Sequence, residues 1–347
     1  DVLGVDIVND YVDKINKKEI KSDEPEIENH IKNAKNFVAT TDIERGIQFS
    51  DYLFLVVATP SLHDGRYDHS QVENISKDLI RYHSSGQKKN LIVCCTTMPG
   101  YCDSLKLRLE PYGYSISYNP EFIAQGSVMK DLTNPDIILI GQENKTIGDK
   151  IEKICLSVVN NSPTVHRMSI KEAEITKIAL NCFLTTKIAY ANMIGDISIA
   201  SNCNPEKILN AIGSDERIGN RNLKYGYGFG GPCFPRDNRA LAVFADDNNI
   251  DAVISKASDL ANKLHLKFQL EDFIKKNDKS KPIVFSDLAY KSGTTIIEES
   301  QKLNLAIKLA QKGYKVLLQD RKEVLNQINS IYKDLFKYQF DGEYDEL

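Results

Sequence analysis

Short strand-like runs, most of them apolar almost throughout, recur along the first half of the chain: Val2 to Ile7, Asn36 to Ala39, Tyr52 to Ala58, Asn90 to Cys95, Ser115 to Tyr118 and Ile137 to Ile140. Polar, helix-competent segments such as Asn9 to Lys18 and Val72 to Arg81 lie between most of them. A strand that alternates apolar and polar residues can leave one face in water. Near-continuous apolar strands must be covered on both faces, and strand–helix alternation supplies that cover around a parallel sheet. A doubly wound α/β fold is therefore expected. At roughly 150 residues per domain, 347 residues make two to three domains.

The middle of the chain changes character. Ser169-Ile170-Lys171-Glu172 has the spacing of a capping box, and a helix-compatible run follows to about Ala200. So long a helix suits a spine joining two domains. Asn204-Pro205 reads as an N-cap with Pro at the first helical position, and Gly213 as a stop. One further helix is expected over about Asn238 to Lys276. Beyond the polar stretch 275–281, Pro282 to Leu288 reads as a strand, Ser300 to Lys312 as a helix and Lys315 to Gln319 as a strand. The expected division is 1–165, a Rossmann-like domain; 166–276, an all-helical domain; and 277–347, a second Rossmann-like domain. The chain opens on Asp-Val-Leu-Gly-Val-Asp-Ile, a strand already under way, so the first βα unit is expected to be missing, as are the last C-terminal strands.

Composition narrows the classes of function. Lys plus Arg is 44 against 48 Asp plus Glu, a net charge of −4, with no electrostatic footprint for nucleic acid or an anionic membrane. No apolar stretch approaches the roughly 18 residues of a membrane span. The seven cysteines are odd in number and form no CxxC, and the six histidines form no HxxxH pair. Reduced thiols in a cytoplasmic setting, and no metal site, are expected.

The segment Tyr225-Gly226-Tyr227-Gly228-Phe229-Gly230-Gly231-Pro232-Cys233-Phe234-Pro235-Arg236-Asp237 is the sharpest local feature. Its glycines let the backbone approach a ligand closely, and its tyrosines can flank a base or a sugar. Cys233 follows directly, before a helical pattern and near Arg236, where a thiol has its pKa lowered. The plain alternative is a glycine turn with a buried cysteine. Lys177 and Asn181 share one helix face, and a Lys on an otherwise apolar face either snorkels or serves a site. Asn119-Pro120-Glu121-Phe122, Ala58-Thr59-Pro60-Ser61 and Thr96-Thr97-Met98-Pro99 all follow strands, on the side where parallel sheets bind ligands. Asp6 ends the first strand, which is either the place of a ribose-binding carboxylate or a solvated turn.

Taken in order, these motifs resemble the UDP-glucose/GDP-mannose dehydrogenase family. The likeness continues through Glu174 to Asn181, Asp215-Glu216-Arg217-Ile218-Gly219, Leu288-Ala289-Tyr290-Lys291 and Glu299-Ser300. It implies an NAD-dependent, four-electron oxidation of a nucleotide-sugar C6 alcohol to a carboxylate, serving capsule or other polysaccharide synthesis. Cys233 is implied as the nucleophile that forms a thiohemiacetal and then a thioester. Lys177 and Asn181 are implied to stabilise the oxyanion, Asp237 and Thr97 to hold water, and Glu121 to act in acid–base work. Asp6, Thr59, Pro60, Thr97 and Arg236 are implied to bind the cofactor. Substrate contacts fall to Glu121, Phe122, Lys177, Asn181, Arg217, Tyr225, Tyr227, Gly230 and Lys291, with Arg217 reaching across a homodimer interface.

The loop Cys233 to Asp237 favours UDP-glucose, because the branch acting on N-acetylhexosamines carries a His before the Cys. GDP-mannose or another UDP-sugar remains open. Two departures matter: Gln125 stands where the family commonly has a second glutamate, and Glu298 where it has an arginine before the Glu-Ser pair. They leave room for a non-catalytic sugar-nucleotide binder. A two-domain hydroxyacid dehydrogenase with a structural Cys233 is a further alternative.

Overall fold

The computed structural model describes residues 1–340, and the last seven residues of the segment 277–347 lie outside that range. The chain divides into two compact units, Asp1–Lys177 and Ile178–Leu347. In the first, the order is β1 (Val2–Val5), α1 (Asn9–Asn16), α2 (Ile27–Asn33), β2 (Phe37–Thr40), α3 (Ile43–Phe49), β3 (Tyr52–Leu55), α4 (Ser70–Arg81) and β4 (Lys89–Val93). Then come α5 (Tyr101–Leu109), β5 (Tyr114–Tyr118), α6 (Val128–Thr133), β6 (Ile137–Gly141), α7 (Lys145–Leu156), β7 (Thr164–Met168) and the start of α8 (Ile170–Ala200).

The expected two-sided burial is present. Leu91, Val93, Ile116, Tyr118 and Leu139 join one core cluster, while Ile92, Cys94, Ile138 and Ile140 join another. Successive residues of a strand thus enter opposite cores, as the period of two requires. Each fully buried aliphatic side chain contributes about 1.5–3 kcal/mol.

The sheet departs from one continuous parallel array in two ways. β1 and β2 form a separate parallel pair, and β3-β4-β5-β6-β7 form a second sheet. β1 and β3 are edges, and Val2, Val5 and Phe54 on them are exposed. Tyr118 also pairs with Gly141 in antiparallel sense, so β6 and β7 run against β3–β5. Gly141 permits that junction, because a Cβ there would come within 2.9 Å of the Ile170 Cα.

The capping box is formed as expected. Ser169 N and Oγ both donate to Glu172 Oε2, at 2.8 and 2.7 Å, and α8 runs 31 residues from it. In the second unit α9 (Pro205–Gly213) starts with Asn204 Oδ1 accepting Lys207 N–H and stops at Gly213. The single helix expected over Asn238 to Lys276 is two, α10 (Phe234–Asp247) and α11 (Val253–Lys276). The break falls at Asn248-Asn249, with Asn249 left-handed at φ 57°, a conformation Asn tolerates better than most residues. There follow β8 (Ile283–Ser286), α12 (Gln301–Gln311), β9 (Val316–Asp320), α13 (Lys322–Tyr332) and β10 (Lys337–Phe340), with the strands parallel in the order β10-β9-β8.

Candidate functional site

Each unit carries its own polar cluster. In the first, the side chain of Glu174 on α8 is fully buried against the loop after β4. Its Oε1 accepts the Thr97 hydroxyl at 2.8 Å and the Cys102 N–H at 3.0 Å, and Oε2 accepts the Gly100 N–H at 2.6 Å. Burial pushes the Glu174 carboxyl up, against the pull of these donors. Two of the donors are main-chain N–H groups at the start of α5, where a carboxylate also meets the positive end of the helix dipole.

The same loop is held from another side. His69 Nε2 accepts the Met98 N–H at 3.3 Å, and its ring stacks on Tyr101 with centroids 3.8 Å apart. Burial lowers the His69 pKa to about 4, so the ring is neutral and free to accept. Thr59 Oγ1 donates to the Thr96 carbonyl at 2.7 Å, tying the end of β3 to the same segment.

One turn beyond Glu174, Lys177 is buried among Glu121 and Phe122. Its Nζ donates to the Glu121 carbonyl at 2.5 Å and lies 4.3 Å from the Phe122 ring centroid. Burial raises the Glu121 carboxyl, with Lys177 opposing. A carboxyl raised in this way holds its proton more readily than an ordinary carboxylate.

In the second unit Cys233 is exposed at the N-cap position of α10. Asp237, one turn later, is fully buried and accepts from Asn181 Nδ2 at 2.7 Å and from Arg236 Nε at 3.0 Å. Burial and the Asp237 charge together push the neighbouring Cys182 thiol up to about 12. Asn238 donates to Thr185 at 2.8 Å, extending the polar seam along α8.

The glycine loop is held by side chains from two helices. From α8, Asn192 Oδ1 accepts the Gly226 N–H at 3.1 Å, its Nδ2 donates to the Tyr227 carbonyl at 3.3 Å, and Asp196 accepts the Tyr225 hydroxyl at 3.0 Å. From α11, Asn262 binds both the N–H and the carbonyl of Phe229, each at 2.9 Å, while His265 and Gln269 reach the Gly226 carbonyl at 2.7 and 3.1 Å. Gly231 has φ +81°, which only glycine adopts cheaply, and its N–H donates to the Glu298 carbonyl at 3.0 Å. Glu299 forms a two-pronged ion pair with Arg239.

The structure joins Lys177 with Glu121 and Phe122, and Asn181 with Asp237 and Arg236. Thr97 is fully buried, with its hydroxyl donated to Glu174. Asp6 sits at the end of β1, partly exposed, accepting the Val8 N–H at 2.9 Å. Pro60 is exposed, and its carbonyl accepts the Asp68 N–H. Arg217 is 87% exposed and paired with Asp215. Tyr227 is 43% exposed with Lys302 over its ring, while Lys291 lies partly exposed with its carbonyl bonded to Thr294. Gly230 packs directly against the Glu299 main chain.

Sequence reasoning missed His69, Asn192, Asp196, Asn262, His265 and Gln269, and had Glu174 only as the start of a motif. Their signal is polar residues at 192 and 196 and at 262, 265 and 269, each set at helical spacing on one face. Gly226, Gly228 and Gly231 also have the spacing of a dinucleotide-binding G-x-G-x-x-G. No strand leads into them, so the strand–turn–helix setting that gives this spacing its meaning is lacking.

Two family models match. Residues 1–159 match the NAD binding domain of the UDP-glucose/GDP-mannose dehydrogenase family, and residues 171–264 its central domain. A UDP-glucose 6-dehydrogenase of Rickettsia bellii is 30% identical over 311 residues, spanning 87% of this chain and 71% of that protein. A GDP-mannose 6-dehydrogenase of Pseudomonas aeruginosa is 26% identical over 350 residues, spanning 96% and 79%. The solved UDP-glucose dehydrogenase of Pyrobaculum islandicum superposes with a TM-score of 0.88 at 25% identity, over 98% of this chain and 80% of that one. The residues present fit a dinucleotide at its adenosine end: the Asp6 carboxylate, partly exposed at a strand terminus, is the acceptor that ribose hydroxyls require.

Proposed function

The chain belongs to the UDP-glucose/GDP-mannose dehydrogenase family, and from that premise we propose that it is a UDP-glucose 6-dehydrogenase, oxidising the sugar C6 alcohol to a carboxylate. NAD is the cofactor. When bound it would supply a two-electron hydride acceptor facing the sugar carbon, one NAD molecule for each of the two oxidations.

Every other part falls to the chain's own groups. Asp6, Thr59, Pro60, Thr97 and Arg236 hold the cofactor. Cys233 as thiolate adds to the aldehyde carbon, so the aldehyde is retained on the protein, and stabilising its oxyanion is the role assigned to Lys177 and to Asn181. Loss of hydride from that adduct leaves a thioester, which water cleaves to release the acid and restore the thiol. Holding water is the role assigned to Asp237 and to Thr97, and exchanging protons the role of Glu121. Phe122, Arg217, Tyr225, Tyr227, Gly230 and Lys291 complete the sugar-nucleotide contacts. Residues 1–165 bind cofactor, 166–276 carry the nucleophile and the dimer contact, and 277–347 bind the nucleotide.

One observation carries this reading. Cys233 is exposed at the start of a helix whose next turn holds a fully buried aspartate bonded to Asn181. Free cysteine is most often buried, as Cys94, Cys95, Cys102 and Cys182 are here. Homodimer formation is supported by an exposed apolar stripe on α8, comprising Phe183, Tyr190, Met193 and Ile197. A cytoplasmic setting is supported by seven cysteines that are all free thiols, and an acidic sugar-nucleotide product suits a role in polysaccharide synthesis.

The test is NADH formed per sugar consumed, with UDP-glucose and GDP-mannose in parallel. Two per UDP-glucose, lost at least about a thousandfold in Cys233→Ala, is the expected result. Turnover with GDP-mannose alone would reassign the substrate, which the Pseudomonas relative favours. One NADH per sugar, unchanged by the substitution, would remove the thioester.

A further inference from the structure

The imidazole of His265 is 3% exposed and lies between two acceptors. Nδ1 is 2.9 Å from both carboxylate oxygens of Asp196, and Nε2 is 2.7 Å from the Gly226 carbonyl. With Asp196 ionised, both contacts are hydrogen bonds only when each ring nitrogen carries a proton. A neutral ring, in either tautomer, sets a lone pair against a carboxylate or a carbonyl at bonding distance. We infer that His265, as an imidazolium held by Asp196, is a positioning residue that latches the glycine loop, and that loss of its second proton unlatches Gly226.

The groups around the ring support this assignment. From α8 comes Asp196. From the loop comes Tyr225, whose hydroxyl shares the Asp196 carboxylate and whose ring meets the imidazole edge-on at 5.6 Å. From α11, Gln269 supplies a second donor to the Gly226 carbonyl at 3.1 Å, and the Asp272 charge acts on Tyr225. Burial and Asp196 raise the Tyr225 hydroxyl far above its ordinary range, so it stays a donor while the imidazole gains or loses a proton. The Gly226 N–H is already held by Asn192. Its carbonyl is thus the point at which protonation sets the grip on the peptide leading to Cys233. The bearing on turnover rests on the role proposed above for Cys233, whereas the latch itself does not.

Amide hydrogen exchange of residues 226–229 and the ring 15N shifts of His265 would be followed together across pH in the full chain. Protection is expected to fall about tenfold with the same midpoint as the ring, the size of one lost hydrogen bond, while amides of β4 stay unchanged. In H265Q the loop should be weakly protected at every pH, with no step. If that variant does not fold, the wild-type titration decides alone. A ring that titrates with no step at 226–229, or a neutral ring while the loop is protected, would overturn the latch. Persistence of turnover in Cys233→Ala with the step intact would overturn the proposed chemistry and leave the latch standing.

Discussion

The loops at 96–100 and 225–231 are both held by buried polar side chains, but in opposite ways. The first is gathered onto one charged group: Glu174 takes the Thr97 hydroxyl and two main-chain N–H groups, and α5 begins where they converge. The second stops short of Cys233, the N-cap of α10, and its peptide groups are met one or two at a time by Asn192, Asn262, His265 and Gln269. A segment leading into a helix needs one carboxylate, because its free donors already point the same way. A glycine-rich segment points its donors and acceptors in many directions and needs a separate partner for each.

Removing the single anchor should therefore cost most. Glu174→Ala leaves three donors unmatched, two of them buried, and about 3–5 kcal/mol of stability should be lost in urea unfolding. Asn262→Ala frees only the two groups of Phe229 and should cost about 2 kcal/mol, with faster exchange confined to 226–231. Equal losses in the two variants would dissolve the contrast.

The smallest effect, taken per pH unit, concerns pH. His69 is neutral in the folded chain, its pKa lowered from 6.5 to about 4 by burial. Below 6.5 the unfolded chain takes up a proton that the folded one does not. The contribution is therefore full above 6.5 and is lost as pH falls towards 4, by at most about 1.4 kcal/mol per pH unit. His69→Gln should flatten that slope in unfolding curves taken between those pH values, and an unchanged slope would place the proton uptake elsewhere.

Much of the fold was written in short-range signals. The Ser169–Glu172 box and the Asn204-Pro205 start each need only four residues to be recognised. β7 was not, since Thr164-Val165-His166-Arg167-Met168 reads as a polar surface segment and takes its place only through pairing with β6. The Asn248-Asn249 break carried a turn signal that the helical pattern on either side outweighed. The same division runs through the site. Cys233, Arg236 and Asp237 stand together in the sequence, as Lys177 and Asn181 nearly do. The residues holding the glycine loop come from two helices some 70 positions apart, and each alone is an ordinary polar residue in a helix.

The 31-residue helix α8 carries Glu174, Lys177, Asn181, Thr185, Asn192 and Asp196 on an unbroken backbone. At 3.6 residues per turn, one residue inserted anywhere along it would swing everything beyond by about 100° about the axis. Point substitutions can be absorbed singly, but a length change between Glu174 and Asp196 moves several bonded groups out of reach together. The spacing of those residues is thus held by helical register itself, and descendants of this chain are free to vary its letters far more than its count.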